Sequence, residues 1–315
     1  MTKINLTKLF IILLTIVSSG CISDLEFDYP ATPNLPVVNA LLNPDSSISV
    51  NIYKLMGVSE LSSELITDAS VIIYENQGDS ISLYLIGEGQ YVAEHFPQAG
   101  QQYSIKVDVS GYGQISAVTT IPHTNPTISA TLGSTWSYYS PPQYIDQIKA
   151  YPVLITLSPI ENNNYLIFRL MAKRYGHYWS NDSIDTYEPI IPPRFDMVSL
   201  FSSDTKFTGV GQDTYYVLQN EHSSFQENFT LILWVSQFVW VTGFGDQGEH
   251  LFDTDLYLDV LTCSPDFYQY FRTYIINASE RVNPFAEPIE VYSNIENGLG
   301  IFAGYSMQRI LLNQR

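Results

Sequence analysis

Only two cysteines, Cys21 and Cys263, occur among the 315 residues of this sequence. At most one disulfide bond is possible, and none if Cys21 is modified, so the fold must be stabilised by a hydrophobic core. Cys263 follows an alternating apolar segment, which predicts a buried, unreactive thiol rather than a nucleophile. Long hydrophobic runs are lacking too. The apolar run Leu9–Val17 is far shorter than the roughly 20 residues that a membrane-spanning helix needs.

Positive charge is scarce, with 14 lysines and arginines against 32 aspartates and glutamates and a formal net charge of −18. Removal of residues 1–20 would take away Lys3 and Lys8 and no acid, which leaves 12 basic residues against 32 acidic ones and a charge of −20. The sequence contains no run of basic residues. It therefore predicts neither a nucleic-acid partner nor electrostatic attraction to an anionic lipid surface.

The N-terminus has the three parts of a cleavable signal peptide: a basic start, the short apolar run and the small residues Ser18–Gly20. Small residues directly before Cys21 resemble the lipobox of bacterial lipoproteins, although Ser18 stands where leucine would make the match closer. This resemblance predicts loss of residues 1–20 and acylation of the Cys21 sulfur, which leaves residues 21–34 as an extended, acidic tether. Ordinary secretion, with Cys21 as a chance thiol, is the alternative.

Hydrophobic alternation predicts β-structure along most of the remaining chain. Over residues 35–122, seven short runs such as Ile48–Ile52 and Ile81–Ile86 are separated by turn residues, which predicts half-buried strands in an immunoglobulin-like β-sandwich. Pro122–Pro126 interrupts the pattern and is the predicted domain boundary. Longer alternations follow, among them Leu299–Tyr305, and predict a larger β-rich domain over residues 127–315.

One short helix is predicted within the second domain. Ser264 is a candidate N-cap, Pro265 suits the first helical position, and aromatic residues recur after it at helical spacing. The stretch from Gly133 to Pro193 is aromatic, proline-rich and poorly periodic, which predicts long loops in parts of it, beside the apolar alternations Val153–Leu157 and Tyr165–Met171. The predicted fold class is therefore mostly β: an immunoglobulin-like β-sandwich followed by a larger β-rich domain with one short helix.

Several segments carry a family resemblance over nearly the whole chain that follows Cys21. The most specific are Asn283–Pro288 and Val291–Tyr305, with shorter matches at Leu35–Ala40, Asp68–Val71 and Ala99–Tyr103. Together they resemble the DUF4249 lipoproteins of Bacteroidetes. The resemblance implies a lipid-anchored protein of the outer membrane, whose gene often lies beside that of a TonB-dependent receptor. The acidic residues that follow Cys21 also resemble the surface-export signal of Bacteroidetes lipoproteins, which predicts exposure at the cell surface.

No catalytic motif is identified. The sequence lacks G-x-S-x-G, H-E-x-x-H and the EF-hand spacing, and its five histidines are scattered. An acidic stretch could offer oxygen ligands to calcium, although a solvated acidic loop is the favoured interpretation; it comprises Asp246, Glu249, Asp253 and Asp255. We therefore predict no enzyme, no metal and no cofactor apart from the acyl lipid on Cys21.

Aromatic residues are the most suggestive feature, since they form 14% of the chain. Two clusters in the predicted loops are candidate contacts for a ligand or partner, because exposed Tyr and Trp combine apolar area with a polar tip. The clusters are Trp136, Tyr138 and Tyr139, and Tyr175, Tyr178 and Trp179. The alternative is that these side chains pack beneath their own loops.

The functional prediction combines these features. We predict a non-enzymatic accessory or ligand-capture partner of a TonB-dependent receptor, anchored in the outer membrane by lipid and exposed at the cell surface. A structural or adhesive cell-surface module is the alternative, and an unrecognised hydrolase is a more remote one.

Overall fold

The computed structural model describes residues 35–313 apart from 56–63, 77, 124–126, 141–146, 160–164, 182–183, 203–206, 211–214, 219–228, 237–240, 243–249 and 281–289. Cys21 and the predicted tether lie outside the described residues. The described part of the chain is mostly β-strand with one α-helix, which confirms the predicted mostly-β class.

Within the ranges that the structure describes, twenty strands are assigned, nineteen before the helix and one after it. In the first half of the chain they are β1 (Pro36–Leu42), β2 (Ile48–Lys54), β3 (Ser70–Glu75), β4 (Asp79–Ser82), β5 (Tyr84–Gly87), β6 (Gln90–Ala93), β7 (Gln102–Asp108), β8 (Ile115–Thr120), β9 (Ile128–Leu132), β10 (Ser137–Tyr139) and β11 (Ile148–Leu157). The others are β12 (Tyr165–Asn181), β13 (Ile184–Val198), β14 (Leu200–Phe201), β15 (Phe207–Val210), β16 (Tyr215–Leu218), β17 (Phe229–Ser236), β18 (Val241–Thr242), β19 (His250–Cys263) and β20 (Leu299–Asn313), with the helix α1 (Pro265–Glu280) between β19 and β20.

Two sheets enclose the N-terminal core. β1, β2, β6 and β5 are successive neighbours in one sheet, and β4, β3, β7 and β8 form the other. Every second residue of these strands points inward, as the predicted alternation requires, and Ile52, Ile73 and Ile105 are almost fully buried between the sheets. The chain passes from one sheet to the other at Leu83, so the predicted single strand Ile81–Ile86 is two strands, β4 and β5. The immunoglobulin-like topology stays a prediction.

A strand from the C-terminus completes this N-terminal core. β20 pairs with β1 in parallel, with Val38 opposite Gly300, and the side chain of Phe302 is fully buried among the N-terminal residues. At Gly300, φ is +107° and an added Cβ would lie 2.2 Å from the carbonyl oxygen of Val38, so this close approach requires glycine. The predicted domain boundary between residues 122 and 127 stays a prediction.

The larger sheet continues through the C-terminal half in the order β15-β16-β12-β19-β20-β1-β2-β6-β5, and β13 pairs with the later part of β12. One face of β12, β19 and β20 packs on a five-stranded sheet made of β10, β11, β17, β14 and β9. Phe168 and Leu258 on the larger sheet meet Ile155 and Leu233 on the smaller one, and all four are fully buried.

The helix lies on the opposite face of the larger sheet. The Ser264 hydroxyl oxygen accepts a hydrogen bond from the N–H of Phe267 at 3.3 Å, which confirms the predicted N-cap. Phe267 packs with Ile301 and Cys263 beneath the helix. Cys263 is fully buried, as predicted, and burial raises the pKa of its thiol well above the ordinary value. No helix in the described part of the chain is both long and apolar enough to cross a membrane.

Candidate binding surface

Helix α1 covers one end of the face of the larger sheet on which it lies. We name the rest of that face the open face. The open face consists of alternate residues over 169–175 of β12, 195–197 of β13, 255–259 of β19 and 307–311 of β20, whose side chains point to the same side of the sheet. Its polar members are Arg169, Lys173, Tyr175, Asp255, Asp259 and Arg309. Its less polar members are Met171, Phe195, Met197, Tyr257, Met307 and Leu311.

A buried carboxylate organises one end of the open face. Asp259 stands directly opposite Arg169 on one side and Arg309 on the other, and its side chain is 0% exposed. Arg309 donates from Nε to Oδ1 at 2.7 Å and from Nη2 to Oδ2 at 2.8 Å, while Arg169 donates from Nε to Oδ2 at 3.0 Å. These bonds raise the pKa of the Arg309 guanidinium. One carboxylate thus holds two cations in fixed positions on the sheet.

Cations also surround an exposed aromatic ring. The Lys173 ammonium lies 5.5 Å from the centroid of the Phe195 ring, and the Arg309 guanidinium carbon lies 5.3 Å from the same centroid. Arg309 also lies 5.6 Å from the centroid of the Tyr257 ring. These distances suit cation–π attraction, which holds both positive groups beside the ring.

Apolar area on the open face is accessible. Phe195, Met197 and Leu311 are 44%, 41% and 38% exposed, and Met171 and Tyr257 between them are half-buried. Contiguous apolar side chains rimmed by charges are typical of interaction sites. The open face can therefore hold a ligand by apolar contact and by charge together.

The second predicted aromatic cluster meets the open face at Tyr175. Its hydroxyl donates to the Asp255 carboxylate at 2.7 Å, at a bulge in the pairing of β12 with β19 between Arg174 and Gly176. The predicted loop is wrong here, since residues 175, 178 and 179 all belong to β12; pairing with β13 and β19 extends this strand well beyond its apolar run. The side chains of Tyr178 and Trp179 lie outside the described residues.

The first predicted cluster lies elsewhere, on the smaller sheet. The loop prediction is wrong for this cluster too, because residues 137–139 form β10 and pair with β11. Trp136 and Tyr138 are 41% and 65% exposed, their ring centroids are 5.3 Å apart, and the Lys149 ammonium lies 4.2 Å from the Trp136 centroid. The Tyr139 side chain lies outside the described residues. The two clusters thus belong to separate sheets.

The acidic stretch does not form a loop where it is described. Asp253 and Asp255 belong to β19, and Asp255 is buried at 8% exposure, so a solvated loop is the wrong interpretation of these two residues; Asp246 and Glu249 lie outside the described part. Among the residues that the structure describes, no group of three or more His, Cys, Asp or Glu side chains is placed to hold a metal ion.

A third surface was not found from the sequence. β5 is the last strand of the larger sheet, and Tyr84, Leu85 and Ile86 are 52%, 39% and 57% exposed. An uncharged apolar strand at a sheet edge offers unpaired backbone groups and apolar side chains to another chain. The same residues were predicted as part of a half-buried strand, because local alternation does not show that β5 ends the sheet.

The fold and the open face define a mostly β protein with a partly exposed, cation-lined sheet surface. The chain belongs to the family described as a domain of unknown function, DUF4249, whose model matches residues 22–310. This confirms the predicted membership of DUF4249, while the lipid anchor and the origin in Bacteroidetes stay predictions. Comparison with curated proteins gives no match.

One solved structure, the partial N-terminal region of an enterococcal surface protein, aligns with 93% of this chain and 98% of its own. The identity is 7% and the TM-score is 0.20, and a likeness at that level carries no conclusion about fold or function.

Tyr292, in the segment beside the helix, is expected to make the stability of the fold depend on pH. The Tyr292 hydroxyl donates to Asp266 on α1 at 2.6 Å, and burial, together with this acidic neighbour, raises the pKa of Tyr292 to about 12. The folded chain holds this proton more tightly than an unfolded chain, in which tyrosine has a pKa of about 10. The stabilisation of the folded state that results is therefore complete below pH 10 and is lost as pH rises towards 12.

Tyr292→Phe removes this titrating group. We expect the free energy of unfolding to fall less steeply between pH 10 and 12 in the variant than in the unchanged chain, as measured by urea-induced unfolding at each pH. Tyr138→Phe, at a hydroxyl-bearing ring that is 65% exposed, is the matched control and should leave the slope unchanged. Equal slopes for Tyr292→Phe and the unchanged chain would contradict the assignment.

Proposed function

We propose that this chain is a non-enzymatic binding protein that is anchored to the outer membrane by an acyl lipid on Cys21 and captures a ligand on its open face. We further propose that it works at the cell surface beside a TonB-dependent receptor. The observation that carries the binding function is the open face itself, where exposed apolar side chains lie among cations fixed by a buried carboxylate. The anchor is supported by the signal-like N-terminus and the small residues before Cys21.

The exposed edge at β5 supports the proposal that the chain binds a protein partner stably. Its three consecutive exposed apolar side chains offer a row of contacts at the end of the larger sheet, and an added strand would pair with the free backbone groups of β5. This edge belongs to a different part of the sheet from the open face. The chain could therefore hold a partner and a ligand at the same time.

The test is affinity purification of the full chain from native membranes in mild detergent, with the co-purified proteins identified by mass spectrometry. We expect a β-barrel receptor to be recovered with the unchanged chain and to be lost with Leu85→Lys, which places a charge on the β5 edge. Val118→Lys is the matched control, because Val118 is also an exposed apolar residue, at 52%, on the edge strand β8 of the other sheet.

The anchor is tested in the same preparation. Cys21→Ala is expected to leave the chain unacylated and to release it from the membrane fraction. Recovery of no barrel protein by the unchanged chain would contradict the partnership. Normal maturation and unchanged membrane retention of Cys21→Ala would contradict the anchor.

A further inference from the structure

Resting on the proposed binding function, we infer that the ligand of the open face is an acidic peptide segment that carries apolar side chains on the same face as its carboxylates. The carboxylates would pair with Lys173 and Arg309, and the apolar side chains would lie over Phe195, Met197 and Leu311. This assigns the chemical class of the ligand, which the family description leaves open.

The balance of basic and acidic residues on the open face differs from that of the whole chain. The open face carries three cations against two carboxylates, or three if Asp253 beyond the bulge is included, whereas the whole chain has 14 basic residues against 32 acidic ones. A cationic ligand would be attracted to many other parts of this acidic surface. An anionic ligand is repelled by most of the chain and is accepted best where basic residues gather, so charge favours an anion at this place.

Lys173 is the cation best placed to bind it. Asp255 stands opposite Lys173 in the strand pairing and accepts a hydrogen bond from Tyr175, but within the described part of the chain no carboxylate lies within ion-pair distance of the Lys173 ammonium. This ammonium lies 5.1 Å from the Tyr175 ring centroid and 5.5 Å from that of Phe195. Aromatic rings hold a cation in position without neutralising its charge. Arg309 adds a second charge, since its side chain is 36% exposed although it is bonded to Asp259.

The spacing of these charges suits a peptide. Because both cations lie within 5.5 Å of one ring centroid, they are at most about 11 Å apart. Side chains two residues apart lie on the same face of an extended peptide and are separated by about 7 Å, since each residue advances the chain by about 3.3 Å. Two acidic residues with one residue between them fit within this limit and could reach Lys173 and Arg309 together, and residues at further even-numbered offsets would face the same surface.

The apolar members of the open face favour a peptide over an acidic sugar polymer. Sugar hydroxyls lose hydrogen bonds to water when they are placed against apolar groups, and the most exposed apolar residues here are Phe195, Met197 and Leu311. Methionine side chains adapt their shape to varied apolar partners, and Met171 lies beside Met197 in the strand pairing. Such a surface suits leucine, valine or aromatic side chains that lie on the same face of the peptide as its carboxylates.

The experiment measures binding of a glutamate–tyrosine copolymer to the full chain in mild detergent, by fluorescence anisotropy of the labelled polymer. We expect binding that weakens with added salt and that becomes about tenfold weaker in Lys173→Glu, because an attractive charge is replaced by a repulsive one. Lys106→Glu is the matched control: Lys106 is exposed and its ammonium lies 5.2 Å from the Tyr74 ring centroid on a different sheet. This control should bind as the unchanged chain does.

Two further polymers separate the possible outcomes. A lysine–tyrosine copolymer should not bind, and polygalacturonate, an acidic sugar polymer, should bind more weakly than the glutamate–tyrosine copolymer. Stronger binding of polygalacturonate that is sensitive to Lys173→Glu would overturn the peptide assignment and leave the binding function standing. Equal loss in Lys106→Glu, or no binding of the acidic peptide, would overturn this inference. The partnership with a receptor is decided separately by co-purification.

Discussion

Phe302→Ala is expected to lower the free energy of unfolding of the whole chain by about 3–5 kcal/mol, the usual cost of truncating a fully buried phenylalanine. Phe302 is 0% exposed and lies on β20, yet its side chain belongs to the N-terminal core. The same strand supplies Arg309 and Leu311 to the open face. Loss of Phe302 should therefore weaken both halves of the chain together.

The measurement is urea-induced unfolding followed by tryptophan fluorescence and by far-ultraviolet circular dichroism. All four tryptophans follow residue 135, at positions 136, 179, 234 and 240, so fluorescence reports on the part of the chain that follows the N-terminal core. We expect both signals to shift in Phe302→Ala. Phe96→Ala, at a phenylalanine that is 60% exposed, should change the free energy by less than about 0.5 kcal/mol. A fluorescence transition unaffected by Phe302→Ala would contradict the coupling of the two halves through β20.

Asp259→Asn is expected to lower the free energy of unfolding by about 2–4 kcal/mol. Removal of the charge leaves two guanidiniums close together without the carboxylate that balances them, and breaking a buried ion pair in this way is strongly destabilising. We expect a smaller decrease than for a fully buried ion pair, because the Arg169 and Arg309 side chains are 26% and 36% exposed and water can partly solvate them.

Asp108→Asn is the matched control for this substitution, since Asp108 is exposed on β7, and it should change the free energy by less than about 0.5 kcal/mol. Adding Arg169→Met to Asp259→Asn removes one of the two unbalanced cations and should recover part of the loss. A decrease for Asp259→Asn no larger than that for Asp108→Asn would show that the carboxylate does not hold the two arginines.

Local sequence patterns predicted the strands and the helix well where one element could be judged by itself. The alternation of Ile48, Val50 and Ile52 predicts β2, and Ser264 before Pro265 predicts the start of α1, because each signal depends on neighbours along the chain. The extension of β12 and the whole of β13 were not predicted. Both depend on pairing with distant strands, and Pro192 and Pro193 within β13 argue locally against a strand.

The candidate binding surface was predicted only through Tyr175. Lys173, Phe195 and Arg309 are far apart in the sequence and carry no shared motif, and they meet only because β13, β12, β19 and β20 are neighbours in one sheet. The scarcity of basic residues was correctly noted as a property of the whole chain. It could not show that strand pairing gathers several of them on one face.

The proposed binding function is tested most directly by asking whether a ligand covers the open face in living cells. Lysines are acylated with a membrane-impermeant reagent in the purified chain and on intact cells, and the labelling of Lys173 relative to Lys106 is quantified by mass spectrometry. A bound ligand would cover Lys173 and leave the exposed Lys106 accessible to the reagent. We therefore expect the ratio of Lys173 labelling to Lys106 labelling to be lower on cells than in the purified chain. An equal ratio in both preparations would contradict a ligand-binding role for the open face.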